Sequence, residues 1–292
     1  MNDLILKRKK LDLILKKNNS LAVAFSGGVD STFLLAAAKK VFSNSGRLIA
    51  VTAASSLHPR DDINSAALFA RENNIPHLIV HSREMASDEF IQNSPDRCYI
   101  CKKLIFKQIY AAAETKGIFT VAHGVNTDDG NDYRPGIKAA EEMNVLAPLA
   151  EAGLTKNDIR QLSKEMGLAT WNKPSSGCLA TRIPYGELIT PAKLIRVEAA
   201  EKVLRDLNFT HFRVRNYGET AKIEVRSEDI EKLLKPSVRG HIVNEFKKIG
   251  FLYVTMDLED FASGRLNRSV LVQHSGKKGR SEALCKVNKC IK

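Results

Sequence analysis

The stretch LAVAFSGGVDSTFLLAAAKKVF, residues 21–42, constrains the fold of this chain more than any other. Its first five residues are an apolar run of the kind a buried strand needs, and TFLLAAAKKVF is rich in the alanine and leucine that favour helix. Between them lies SGGVDS. Two glycines there let the backbone approach a ligand closely, and the helix that follows points its unpaired N–H groups at the same place. Ser26 and Ser31 add hydroxyl donors, so Ser26, Gly27, Gly28 and Ser31 together make an anion cradle, with Asp30 in the first helical turn. The GxxxxGK[ST] spacing of a Walker A loop is absent, and so is GxGxxG.

The same punctuation continues downstream. RLIAVTAA (47–54), HLIVHS (77–82) and FTVAHGVN (119–126) read as further strands. Helical stretches at 61–74 and 102–117 separate them, the second beginning after a cysteine pair and closing at Gly117. Strands alternating with helices predict an α/β fold, a parallel sheet with helices on both faces. Ligands of such sheets bind outside the carboxyl ends of the strands. SGGVDS, SSLHPRDD and HGVNTDDGNDYRPG all follow strands at that edge, and Cys178 lies in another polar loop placed there. In LTKNDIRQLSKEMG (154–167), Thr155 and Asp158 have capping-box-like spacing before an amphipathic helix. A domain boundary is expected at 183–191, after the loop NKPSSGCLATRIPYG. Beyond it, helix (192–207), strand (211–216), strand (220–226), helices (227–234, 237–249) and strand (251–256) predict a smaller α+β domain. The division expected is 1–186, 187–266 and a basic tail over 267–292.

A chain of 292 residues buries a full core, and the formal charge of +12 points to an anionic partner, nucleic acid or a phosphorylated small molecule. Residues 276–292 hold six Lys/Arg and one Glu, so part of that charge is terminal. No apolar stretch is long enough for a membrane span, and KRKK interrupts the N-terminal apolar runs, leaving a short basic helix with Leu4, Leu11 and Leu15 on one side rather than a signal peptide. This reading places the chain in the cytoplasm. Five cysteines in a reducing compartment are not expected to pair as disulfides. Cys98 and Cys101, in RCYICK, suit a redox dithiol, part of a zinc site or an iron–sulfur cluster equally, and Cys178 is the remaining cysteine outside the terminal tail.

In HGVNTDDGNDYRPG, Asp128, Asp129 and Asp132 beside Arg134 suit Mg²⁺ and an anion. Arg213 and Arg215 alternate along a strand and so share a face, which suits a phosphate; Glu201 lies on the preceding helix. His123 reads as packing or backbone support.

SGGVDS in this context resembles the PP-loop of N-type ATP pyrophosphatases. The combination LAVAFSGGVDST, HGVNTDDGNDYRPG, APLAEAGLTKNDIRQLSKEMGL and KPSSGCLATRIPYG resembles, more narrowly, the LarE family of ATP-dependent sulfur transferases, over residues 10 to about 258. The resemblance implies adenylation, with ATP, of a carboxylate of a pyridinium biscarboxylate mononucleotide. Sulfur then replaces the acyl oxygen on the way to the nickel-pincer nucleotide cofactor of lactate racemase. It implies that Asp30 helps hold Mg²⁺, that Ser26, Gly27, Gly28 and Ser31 hold phosphate, and that Gly124, Asn126, Asp128, Asp129 and Arg134 complete the nucleotide site. Arg182, Glu201, Arg213 and Arg215 fall to the substrate phosphate, and a homo-oligomer is expected. In one branch of the family a cysteine at the Cys178 position surrenders its own sulfur and becomes dehydroalanine. In another, a CxxC joins it to hold a 4Fe-4S cluster carrying a transferable sulfide. Cys98 and Cys101 place this chain with the second branch, so Cys98, Cys101 and Cys178 are its expected iron ligands. The ending DLEDFASGRLNR departs from the family's DLxGYRxGSMN, so the resemblance assigns no role to the last loop.

A tRNA thiolase shares the PP-loop and clustered cysteines, and the basic charge suits RNA. Against it, no zinc-knuckle pairs or aromatic-rich basic strip are present. A metal-based sensor without ATP turnover and an amide-forming ligase with a structural zinc are the remaining alternatives.

Overall fold

Strand β1 (Ser20–Ala24) is all but free of polar side chains, and it lies inside a four-stranded parallel sheet of order β3-β2-β1-β4. The computed structural model describes residues 2–43, 47–131, 135–174, 177–262 and 264–268. In it, β2 (Arg47–Ala54) and β4 (Val121–Ala122) flank β1, and β3 (His77–His81) pairs with β2. Alternation along β1 sends side chains to two cores. Leu21 and Val23 pack with Phe33 and Leu34 of the helix Val29–Phe42 and with Leu11 and Leu15 of Asn2–Lys16. Ala22 faces the opposite way, onto Phe106 and Ile109 of the helix Arg97–Glu114. Both faces are therefore covered by helices, as a parallel sheet requires. The α/β expectation holds.

Two elements differ from expectation. The fourth strand is two residues rather than eight. After Ala122, which also bridges Leu146, the chain peels away to close over the glycine loop. The helix expected from residue 102 starts at Arg97, so the cysteine pair lies inside it. Arg97 is 2% exposed and donates to Asn93 Oδ1, which anchors that extra turn. The capping box on Lys156–Glu165 forms as expected: Thr155 accepts from the Asp158 N–H, and the Asp158 carboxylate accepts from the Thr155 N–H.

The chain divides into two compact units, Met1–Ala180 with Leu188–Glu198, and Thr181–Glu187 with the chain from Ala199 onward. In the second unit β5 (Phe212–Tyr217) runs antiparallel to β6 (Thr220–Val225), and β7 (Tyr253–Met256) runs parallel to β6. Phe212, Val214, Ile223, Phe246 and Phe251 form its core. The helix expected over 227–234 is a 3-10 turn, Ser227–Asp229, followed by Ile230–Leu234. Among the described residues no helix is long and apolar enough to cross a membrane. Most of the expected basic tail, from residue 269, lies outside the described residues.

Candidate active site at the carboxyl edge of the sheet

Gly27 follows the end of β1 with φ of +68°, a left-handed conformation that L side chains resist. An added Cβ would also meet Ala66 Cβ and Asp62 O at 3.2 Å each. The loop is braced from inside: the Ser26 and Ser31 hydroxyls lie 3.0 Å apart, and Ser31 Oγ also takes the Ser26 N–H and donates to Gly28 O. Gly28 is the N-cap of Val29–Phe42, which leaves the first N–H groups of that helix aimed at the sheet edge.

The loop after β4 closes over this turn. A Cβ on Gly124 would lie 2.8 Å from Ser31 N and 3.0 Å from Asp30 C, so only glycine lets the two backbones meet. Gly124→Ala should therefore weaken ATP binding at least about tenfold, read by equilibrium dialysis, while the far-ultraviolet spectrum is retained. Past Gly124, the buried Asn126 donates to Asp30 Oδ1 at 3.4 Å, and its own N–H bonds Asp129 Oδ2 at 3.0 Å. Asp128 bonds back to Asn126 Oδ1 and accepts the Lys156 N–H at 2.8 Å. Asp30, Gly124, Asn126, Asp128 and Asp129 thus belong to one network. Asp132 and Arg134 lie outside the described residues.

Two lysines in this network were not among the expected site residues. Lys156 Nζ is 2.5 Å from Asp30 Oδ2. Lys173 Nζ bonds Gly27 O at 3.1 Å and Asp62 at 2.8 Å. A signal for Lys156 existed: a cation in the first turn of a helix opposes the dipole and needs a partner beyond that helix.

Cys98 and Cys101, three apart on Arg97–Glu114, share a face of its first turns. Cys178 is placed by the hydrogen bond from Leu179 N to Leu57 O, which ties its loop to the one after β2. All three are half-buried thiols. Burial pushes the Cys101 thiol well up, and the charges of Cys178, Glu84 and Cys98 raise it further, against the pull of Lys102. These groups therefore share one neighbourhood. Cys101 Sγ faces Glu84 Oε1 at 3.8 Å, and Glu84 is fully buried, with no hydrogen-bond partner for Oε2 among the described residues. Among the described residues no three of His, Cys, Asp and Glu are gathered closely enough to hold a metal ion. Three neighbouring thiols fit an iron–sulfur cluster in donor chemistry. Asp30 and Asp128 fit Mg²⁺, which takes one or two carboxylates and completes its shell with phosphate and water.

His123 packs edge-on against Phe106 at 5.6 Å, the packing role expected of it. Burial, with Lys102 nearby, lowers both His58 and His123 to about 4. Neutral when folded, each takes up a proton near 6.5 once unfolded, so stability is present above pH 6.5 and declines as pH falls toward 4. The urea midpoint should be lower at pH 5 than at pH 7.5, and His123→Phe, which keeps the ring contact, should flatten that dependence.

In the second unit, Arg182 Nε and Nη2 bond the two oxygens of Glu201 at 2.7 and 3.0 Å. Arg215 makes the same fork on Glu224, both bonds at 2.9 Å. Arg213 lies over the Phe261 ring at 5.0 Å, and burial, then Arg182 and Arg215, bring it down to about 10. The structure brings the four expected phosphate residues together, but Arg182 and Arg215 are engaged with carboxylates. Of the four, Arg215 lines a cavity of about 510 Å³, together with Lys222, Tyr217, Tyr185 and Arg265.

A parallel sheet carrying SGGVDS between strand and helix, with a polar loop folded onto that helix start, defines an ATP-using α/β domain of the PP-loop class. The asparagine synthase family model matches residues 11–114. An uncharacterised protein of Synechocystis sp. is 41% identical over 246 residues, 84% of this chain and 91% of that protein. The pyridinium-3,5-bisthiocarboxylic acid mononucleotide synthase of Lactiplantibacillus plantarum is 36% identical over 267 residues, 91% of this chain and 96% of that protein. The tRNA-specific 2-thiouridylase MnmA of Rickettsia peacockii is 25% identical over 219 residues, 63% of this chain and 60% of that protein. The chain belongs to the LarE family of ATP-dependent sulfur transferases.

Proposed function

We propose that this protein converts a carboxylate of a pyridinium-3,5-biscarboxylate mononucleotide to a thiocarboxylate, a step toward a nickel-pincer nucleotide. A carboxylate oxygen attacks the ATP α-phosphorus and pyrophosphate leaves. Sulfide then attacks the acyl carbon, and AMP departs with the bridging oxygen. The observation that carries this reading is the shared network of Asp30, Asn126, Gly124 and the Ser26–Ser31 hydroxyl pair at the carboxyl edge of the sheet. The similarity to the Lactiplantibacillus synthase over nearly the whole of both chains supports the substrate class.

Asp30 and Asp128 would hold Mg²⁺, while Ser26, Gly27, Gly28 and Ser31 hold the leaving pyrophosphate. Gly124, Asn126, Asp129 and Arg134 serve the nucleotide. Cys98, Cys101 and Cys178 would hold a 4Fe-4S cluster, whose one iron without a protein ligand supplies a place for an additional sulfide. Arg215, Lys222, Arg265 and Arg268 line the cavity of the second unit against Glu224, Asp257 and Glu259, which leaves one net positive charge and favours that unit for the substrate phosphate. We assign nucleotide binding to the first compact unit and the substrate and assembly role to the second, in a homo-oligomer supplied by an outside sulfide donor.

Pyrophosphate release that depends on the mononucleotide tests the reaction. Anaerobic purification with iron, zinc and sulfide analysis tests the cluster: about four irons with labile sulfide supports it, and one zinc without sulfide removes it. Loss of H₂S from Cys178 in the mass spectrum after turnover would assign that cysteine as a sacrificial donor. The likeness to MnmA favours a tRNA thiolase as the second reading, and a salt-sensitive mobility shift of tRNA would support it.

A further inference from the structure

We propose that Lys156 occupies the metal position on Asp30 when no nucleotide is bound, and moves to the phosphate chain when Mg²⁺ and ATP arrive. The inference rests on the reading of Asp30 as a Mg²⁺ ligand and assigns the group that competes for it. Lys156 Nζ stands 2.5 Å from Asp30 Oδ2, while the other oxygen, Oδ1, takes Asn126 Nδ2 at 3.4 Å. A Mg²⁺ at about 2.0–2.1 Å from a carboxylate oxygen needs the lone pairs that the ammonium holds. Two cations at one carboxylate would stand about 4 Å apart or less, where their repulsion disfavours joint occupancy. The ammonium and the metal are therefore exclusive at that oxygen.

Other features say that the amine is meant to move while its backbone stays. The Lys156 N–H is fixed on Asp128 Oδ2 at 2.8 Å, and the capping box of Thr155 and Asp158 locks the turn around it. Beyond that point the side chain is a four-carbon stem, 34% exposed, with room to swing. A lysine in the first turn of a helix opposes the dipole, so helix stability does not account for its place. Phosphate does. The same helix begins beside the Ser26–Ser31 cradle, through the bonds to Asp30 and Asp128, and an ATP there presents several negative charges within the reach of the stem. Lys173, by contrast, holds the loop itself through Gly27 O and Asp62, and no hydrogen bond joins it to Asp30 among those described.

Mn²⁺, read by the loss of its free electron-spin signal, serves as the probe on the full chain. Without nucleotide, Lys156→Ala and Lys156→Met should each bind Mn²⁺ about tenfold tighter or more than the wild type, the effect of removing a competing charge worth about 1.4 kcal/mol. With Mn²⁺ saturating, both should bind ATP about tenfold more weakly. The methionine variant keeps the stem, so it separates loss of charge from loss of packing. Unchanged Mn²⁺ affinity in both variants, with Asp30→Asn abolishing Mn²⁺ binding, overturns the proposal and leaves the Asp30 reading intact. Mn²⁺ binding that survives Asp30→Asn overturns both.

Discussion

Asp30→Asn should reduce mononucleotide-dependent pyrophosphate release by roughly 10²–10³-fold, with little change in thermal midpoint. Asparagine keeps the size of the side chain and an oxygen for Asn126, but not the charge. What disappears is the carboxylate that the proposed mechanism needs to fix Mg²⁺ against the phosphates as charge moves onto pyrophosphate. The structural loss is small. The pair with Lys156 is about a quarter to a third exposed, and ion pairs of that kind contribute about 0–1 kcal/mol. A released-pyrophosphate assay beside a melting curve therefore separates chemistry from folding. Equal losses in both would mean that Asp30 is a structural residue, and near-normal release would move the metal elsewhere.

The parts of this site that sequence displays are those whose physics is local. Apolar 21–25, the glycine pair and the Ala/Leu-rich run announce strand, turn and helix within twenty residues, and Thr155 with Asp158 announces its own cap. Helical content in the Arg97–Glu114 segment is local too, but its start is not. Arg97 joins the helix because its guanidinium is buried on Asn93, a contact no periodicity displays. Glu84 is similar: in sequence it is one acid after a strand, and only the fold turns it inward against Cys101. Arg182, Glu201, Arg213 and Arg215 read as a phosphate grip because charges on a strand and a helix are ordinarily solvated. Their forks join positions 19 and 9 apart, so burial makes internal partners of groups that read as open to a ligand.

That burial gives the largest stability effect expected of this chain. Arg182→Met or Glu201→Leu should each cost about 3–5 kcal/mol, because either leaves one charge of a fully enclosed pair without its counterion. Arg182 is 1% exposed and Glu201 4%, so water cannot take the place of the missing partner. Glu201 carries a second duty: its Oε1 also accepts the Val214 N–H at 3.2 Å, tying the helix Pro191–Asp206 to β5. The double variant Arg182→Met/Glu201→Leu should therefore recover most of the loss but not all. The shortfall should be about 1–3 kcal/mol for the buried Val214 N–H left unpaired. Urea denaturation of the two single variants and the double variant, analysed as a cycle, measures the coupling directly. Coupling near zero would show that the two side chains are solvated separately. Strong coupling with incomplete recovery would place Glu201 as the joint between helix and strand, and would make the arginine forks part of the fold before they are part of any substrate site.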